Sequence, residues 1–134
     1  MKIAMNIETN KLTQKRVLIV EDNEEIRYIL DFMAQREGMQ SILAKDGAEA
    51  ERLIKGQPVV DVILLDVMLP YKNGVELISI IKNEDGWKDV PIIMLSSNGR
   101  ENDIVAALNA GADDYITKPF QPIELLTRLK KYLR

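Results

Sequence analysis

Polar residues with reactive side chains stand where short apolar runs end. Glu21 and Asp22 follow VLIV, which starts at Val17; Asp66 closes VVDVILL, which starts at Val59; Ser96 and Ser97 follow PIIML from Pro91; Lys118 follows YIT from Tyr115. Taken singly, most have an ordinary explanation. Glu21 and Asp22 could solvate a strand end and cap the next helix, Ser96 could be a satisfied hydroxyl, and Lys118 a surface lysine. Asp66 resists such an account, because a carboxylate ending Val62-Ile63-Leu64-Leu65 is costly to desolvate without a partner or a cation. If these positions share one edge of a sheet, three carboxylates, a hydroxyl and an ammonium converge. Crowded carboxylates raise one another's proton affinity, and a hard divalent cation removes that penalty. Magnesium suits one or two carboxylates, several waters and a phosphate oxygen. Beside such a cation Asp66 is a nucleophile toward a phosphoryl donor, forming an acyl phosphate, while Lys118 and Ser96 offer a charge and a donor to the remaining phosphoryl oxygens.

Composition narrows the alternatives. The chain contains no Cys and no His, which excludes disulfides, thiol nucleophiles, Cys/His zinc sites and every His-based triad, and leaves oxygen as the only donor for a metal. The absence of His also excludes a kinase that phosphorylates its own histidine. With 134 residues, 46% hydrophobic and 29% charged, the chain suits one globular domain. The 18 basic residues against 21 acidic ones give a net charge of −3, which predicts no direct nucleic-acid binding and no electrostatic hold on a membrane. No apolar run approaches the roughly 18 to 20 residues of a membrane span, and no signal peptide opens the chain, so a cytoplasmic location is expected. Neither G-x-x-x-x-G-K-[ST] nor G-x-G-x-x-G follows any run, which argues against a nucleotide enzyme.

The elements that must position these residues are legible as alternating patterns. Residues 1–16 lack a helical or strand period and are expected to form a flexible leader, with the folded domain spanning 17–134. Five apolar runs, VLIV, SILA from Ser41, VVDVILL, PIIML and YIT, read as strands, the longest as one covered on both faces. Between them lie stretches of helical spacing. Ile26, Ile29, Leu30 and Met33 form a stripe with Asn23 as N-cap and Gly38 as stop; Asp46 opens a helix carrying Leu53 and Ile54; Asn73 opens one carrying Val75, Ile78 and Ile81. Ile104, Val105 and Leu108 mark a fourth, and Leu125, Leu126, Leu129 and Leu133 a fifth with Pro122 in its first turn. Such alternation predicts an α/β fold, a doubly wound parallel sheet of five strands with five helices on its two faces. In an open parallel sheet, ligands bind beyond the carboxyl ends of the strands, where the polar residues lie.

The motifs VLIVEDN, DVILLDVMLP, the pair Asn73-Gly74, PIIMLSS and GADDYITKPF, in this order, resemble those of response regulator receiver domains (CheY-like) over nearly all of 17–134. The resemblance implies a flavodoxin-like strand order 2-1-3-4-5 and two-component signal transduction. It implies that a sensor histidine kinase or histidine phosphotransfer protein phosphorylates Asp66, with Mg2+ held by Glu21, Asp22, Asp66 and the backbone carbonyl of Met68. Lys118 and Ser96 then bind the phosphoryl group, Ser96 and Tyr115 act as the switch, and Met68 and Asn98 tune hydrolysis. A cis Lys118-Pro119 bond is implied as well. The domain would catalyse only its own phosphorylation and autodephosphorylation.

The segment GADDYITKPF with PIELLTR is most similar to the OmpR/PhoB-type branch, whose receivers pair through the fourth helix, fifth strand and fifth helix. That likeness implies a homodimer interface at Asp114, Glu124 and Arg128, although Ile104 stands where the branch has a basic residue to pair with Glu124. The partner so controlled would be a downstream protein or an output domain, and no winged helix is present in this chain. Two other readings were open to the same residues. A magnesium-dependent phosphohydrolase with an aspartyl-phosphate intermediate resembles D-x-D-x-[TV] after the first strand, where this chain has Asp22-Asn23-Glu24-Glu25. A receiver-like interaction module without phosphorylation usually lacks part of the constellation, which is complete here.

Overall fold

The computed structural model describes residues 14–69, 73–97 and 101–133. Five strands alternate with five helices: β1 (Arg16–Val20), α1 (Glu24–Arg36), β2 (Gln40–Ala44), α2 (Gly47–Gly56), β3 (Val62–Asp66), α3 (Gly74–Asn83), β4 (Ile92–Ser97), α4 (Glu101–Ala110), β5 (Asp114–Lys118) and α5 (Pro122–Tyr132). The strands form one parallel sheet in the order β2-β1-β3-β4-β5, the order expected. Strand β3 is buried along its whole length, which is why its sequence shows no polar alternation before Asp66.

The sheet divides the core into two layers. Leu18, Val20, Ile63, Leu65, Ile92 and Met94 face α2, α3 and α4, while Val17, Ile19, Val62, Leu64, Ile93 and Leu95 face α1 and α5. Three helices start as their sequences predict. The side chains of Asn23, Asp46 and Asn73 accept from the backbone N–H three residues on, at 2.9, 2.8 and 2.9 Å, each supplying a partner for an otherwise open helix donor. Gly38, with φ of 82°, lies just beyond α1, where a left-handed backbone suits glycine.

The structure departs from the sequence expectations at particular residues. Arg16, placed in the leader, is the first residue of β1 and pairs with Gln40, and Gln14 Nε2 donates to the Gly38 carbonyl at 3.0 Å; residues 1–13 lie outside the described residues. The third run loses its first three residues as strand. Asp61 instead closes the start of β1, its Oδ2 accepting from Arg16 N–H at 2.8 Å and its own N–H donating to Arg16 O at 2.9 Å. Asp113 does the same for β4, accepting from Ile92 N–H at 2.8 Å and donating to Ile92 O at 2.9 Å. On α1, Ile29 is exposed and Ala34 takes its expected place in the core. On α4, Val105 and Leu108 are exposed at 56% and 39%, and among the described side chains only Ala107 is buried. The pattern failed at Val105 and Leu108 because Ala107, with Ile104 half-buried beside it, takes their place against the core.

Two helical glycines test how closely the backbone is packed. A Cβ on Gly74 would meet Val67 Cα at 2.9 Å and the Asp66 carbonyl at 3.0 Å, whereas one on Gly56 would meet nothing within 4 Å. Alanine gains roughly 1 kcal/mol of helix propensity over glycine, and overpacking against an immobile backbone costs about 1 to 3 kcal/mol. Gly56→Ala should therefore raise stability by about 0.5 to 1 kcal/mol, and Gly74→Ala should lower it, as read by urea denaturation with an unchanged slope. Equal stabilisation by both would show that α3 does not press on the end of β3.

Candidate functional site at the carboxyl edge of the sheet

Register brings the polar run ends to one level. Val20 pairs with Leu65, Asp66 with Leu95, Ser96 with Thr117 and Ser97 with Lys118, so Glu21, Asp66, Ser96 and Lys118 leave the sheet at neighbouring positions. Gly74 N–H donates to Val67 O at 2.9 Å, which ties α3 to the chain just beyond Asp66. Asp66 is nearly buried, and its two oxygens have separate donors. Met68 N–H reaches Oδ1 at 3.1 Å and Lys118 Nζ reaches Oδ2 at 3.2 Å.

Glu21 is the most constrained group of the site, with no exposed surface. Its Oε2 accepts from Asn23 N–H at 3.1 Å, and its Oε1 lies 2.6 Å from Lys118 Nζ. At that separation the buried Oε1 is held by the ammonium in a charge-assisted contact. Burial pushes the Glu21 carboxyl up to about 7; Lys118 opposes this, and the neighbouring Asp66 carboxylate adds to it. For Lys118 burial works in the opposite sense, toward a lower value. The two carboxylates outweigh it and hold the ammonium above its ordinary value. One ammonium thus serves two acids.

Asp22 completes the group. An oxygen from each of Glu21, Asp22 and Asp66 lies within 4.8 Å of the others, with Asp22 exposed at the mouth. Three carboxylates whose oxygens lie this close, with a single ammonium to offset them, form a donor set that fits a hard divalent cation. Hence Glu21, Asp22 and Asp66 could hold such an ion, with Met68 adjacent. The loop carrying the first two is secured by a residue that sequence reasoning missed. Arg27 Nη1 donates to the carbonyls of Glu21 and Asp22 at 2.9 and 3.3 Å. The available signal was a cation near the start of a helix, where the dipole favours anions.

The remaining expected site residues fall into three groups. Ser96 is buried, and its Oγ donates to the Ser97 carbonyl at 3.2 Å rather than to Asp66. Tyr115 and Met68 are exposed at 39% and 49%, the Lys118-Pro119 bond is cis, and Asn98 lies outside the described residues. Asp114, Glu124 and Arg128 come together within the chain: Arg128 Nη1 pairs with Asp114 and donates to Tyr115 O at 3.0 Å, and Nη2 lies 3.6 Å from Glu124. Tyr132 OH adds a bond to Asp114 Oδ2 at 3.2 Å. Glu124 therefore has a basic neighbour on its own helix, and Ile104 is a half-buried residue packed on the core.

Comparison with known proteins agrees with this geometry. The response regulator receiver domain family matches residues 17–130. The phosphate regulon transcriptional regulatory protein PhoB of Escherichia coli (strain K12) is 42% identical over 120 residues, covering 90% of this chain and 52% of that protein. The transcriptional regulatory protein CpxR of the same strain is 38% identical over 119 residues, 89% of this chain and 49% of CpxR. The chain thus spans about half the length of these curated relatives. The receiver domain of sensor histidine kinase PA1611 from Pseudomonas aeruginosa PAO1, solved with a magnesium ion coordinated in its active-site cleft, superposes with a TM-score of 0.82 at 32% identity, over 90% of this chain and 98% of that one. The chemotaxis response regulator CheY4 of Vibrio cholerae gives 0.83 at 30% identity, over 90% and 99%. The five-stranded order, the acidic edge and these matches together make the chain a member of the response regulator receiver domain family, with similarity to OmpR/PhoB-type regulators.

Proposed function

We propose that the chain accepts a phosphoryl group on Asp66 from a phosphohistidine of a sensor histidine kinase or histidine phosphotransfer protein, and that this controls a downstream protein or output domain. The observation that carries the reading is the placement of Asp66 between an ammonium and two further carboxylates. One Asp66 oxygen attacks phosphorus, the phosphorus–nitrogen bond breaks, and its electron pair returns to the imidazole. Met68 N–H and Lys118 keep the attacking carboxylate oriented. Mg2+, held by Glu21, Asp22, Asp66 and the Met68 carbonyl, would neutralise charge on the transferring group. Lys118 already touches Asp66 and so stabilises the acyl phosphate as a fixed cation. Met68 and Asn98, flanking the site in the sequence likeness, tune how long it lasts. The reaction serves the chain itself and needs no external substrate turnover.

Signalling requires a contact that exists in only one state. Phosphorylation adds about −1.5 to −2 charge, and reversing a population from about 1:99 to 99:1 takes about 5.5 kcal/mol of differential interaction. The Ser96 hydroxyl, turned to Ser97 O, gains its phosphoryl bond only on rearrangement, and Tyr115 moves into the space it leaves. The face of α4, β5 and α5 is thereby remodelled, with a homodimer through that face as one output. Asp114, Glu124 and Arg128 would have to exchange their internal contacts to join it.

Three outcomes test this reading. With Mg2+ and acetyl phosphate, mass spectrometry should show one added phosphoryl group, labile to base and hydroxylamine. It should be absent from Asp66→Asn; equal labelling of that variant would overturn the assignment. Second, the metal-free protein should lose stability as pH rises from about 4.5 to 7, because the folded state binds the Glu21 proton more tightly than the unfolded chain does. Glu21→Gln lacks this loss, so it should match the parent near pH 4.5 and exceed it above pH 7 by up to about 3 kcal/mol in urea denaturation. Third, beryllofluoride should shift the NMR signals of residues 104–108 and Tyr115 in the parent and far less in Ser96→Ala. Equal shifts would remove Ser96 from the path.

A further inference from the structure

One residue grips the whole acidic loop. Arg27 sends Nη1 to the carbonyls of Glu21 and Asp22, at 2.9 and 3.3 Å, and its backbone N–H to the Asn23 carbonyl at 2.9 Å. The Asn23 bond is the first of the helix and independent of the side chain, so the guanidinium's own grip is on the two carbonyls of Glu21 and Asp22. Arg27 is the fourth residue of α1, and its guanidinium reaches back from there to the loop before the helix. The two carboxylates differ in their dependence on this grip. Glu21 has Asn23 N–H and Lys118 as further partners. The exposed Asp22 carboxylate has no hydrogen-bond donor among the described residues, so its aim follows from the backbone that Arg27 holds.

Resting on the reading that Glu21, Asp22 and Asp66 hold magnesium, we infer that Arg27 is a positioning residue for that cation, acting through the Glu21 and Asp22 carbonyls. Two effects of Arg27 oppose each other. Its positive charge repels a dication, whereas its grip presents the two carboxylates to Asp66 in one arrangement. Their balance sets the sign of a measurable quantity. If charge dominated, removing Arg27 would tighten magnesium binding; if the grip dominates, binding weakens, and residues that orient metal ligands typically change affinity by about 10- to 100-fold.

The test is calorimetric titration of Mg2+ into the full chain and its variants, well below each variant's melting temperature. Arg27→Ala should weaken binding about tenfold. Arg27→Lys keeps the charge but offers one ammonium in place of the planar guanidinium, and should also bind more weakly than the parent. Asp22→Ala, run in parallel, reports on the site itself. Binding by Arg27→Ala as tight as the parent's or tighter, with Asp22→Ala weakened, would overturn the inference and leave the metal site standing. Unchanged binding by Asp22→Ala would overturn the metal-site reading and the inference with it. Should Arg27→Ala fail to fold, Arg27→Lys decides alone: parental affinity refutes the grip, weaker binding supports it.

Discussion

Removing a carboxylate from water costs several kcal/mol unless other groups replace its hydration, and Glu21 has lost all contact with solvent. Its partner comes from the far side of the sheet. Lys118 leaves β5, and β4 and β3 lie between β5 and β1, so the Glu21–Lys118 ion pair spans three strand boundaries and depends on the 2-1-3-4-5 order. Asp66, on the central strand, lies between them in that order and takes the second contact of the same ammonium. With three carboxylates and one ammonium at the edge, negative charge is in excess. Burial is the main reason Glu21 is reluctant to ionise, the neighbouring Asp66 carboxylate adds to it, and the excess of negative charge is what a divalent cation would relieve. The cost of ionising Glu21 and the fit of this edge to a dication share the crowding of carboxylates.

The legible part of the site was its membership. Glu21, Asp22, Asp66, Ser96 and Lys118 could be picked out because each interrupts an apolar run, and a strand end is the place where such an interruption is tolerated. Their pairing was less visible. Nothing in the order of residues says that Lys118 contacts Glu21 as well as Asp66, because that depends on side-chain reach between strands that do not touch. Arg27 was overlooked because its function is to bind backbone carbonyls, and a carbonyl leaves no mark in the sequence.

The fold was legible to a similar degree, with errors of one kind. Strand order followed the family likeness, and the caps at Asn23, Asp46 and Asn73 followed from side-chain chemistry alone. Where expectation failed, a tertiary contact had overridden a local pattern. Asp61 interrupts the third run ahead of β3, where its side chain and N–H pair with the backbone of Arg16 at the start of β1. Asp114 and Arg128 match the ion-pair positions of a dimer interface and equally suit an exposed pair within the chain; here they contact each other, and Tyr132 bonds Asp114. About half the length of these curated relatives lies outside the match.

Helix α4 is anchored differently from its neighbours. Helices α1, α2, α3 and α5 each bury large apolar side chains such as Leu30, Ile54, Ile78 and Leu125, whereas the buried side chain described on α4 is that of Ala107. Burying a large aliphatic side chain contributes about 1.5 to 3 kcal/mol, and an alanine methyl much less. Opening free energy across a folded domain follows such differences. The amide hydrogens of α4 should accordingly exchange faster than those of α1, α2, α3 and α5, as hydrogen-exchange rates would show.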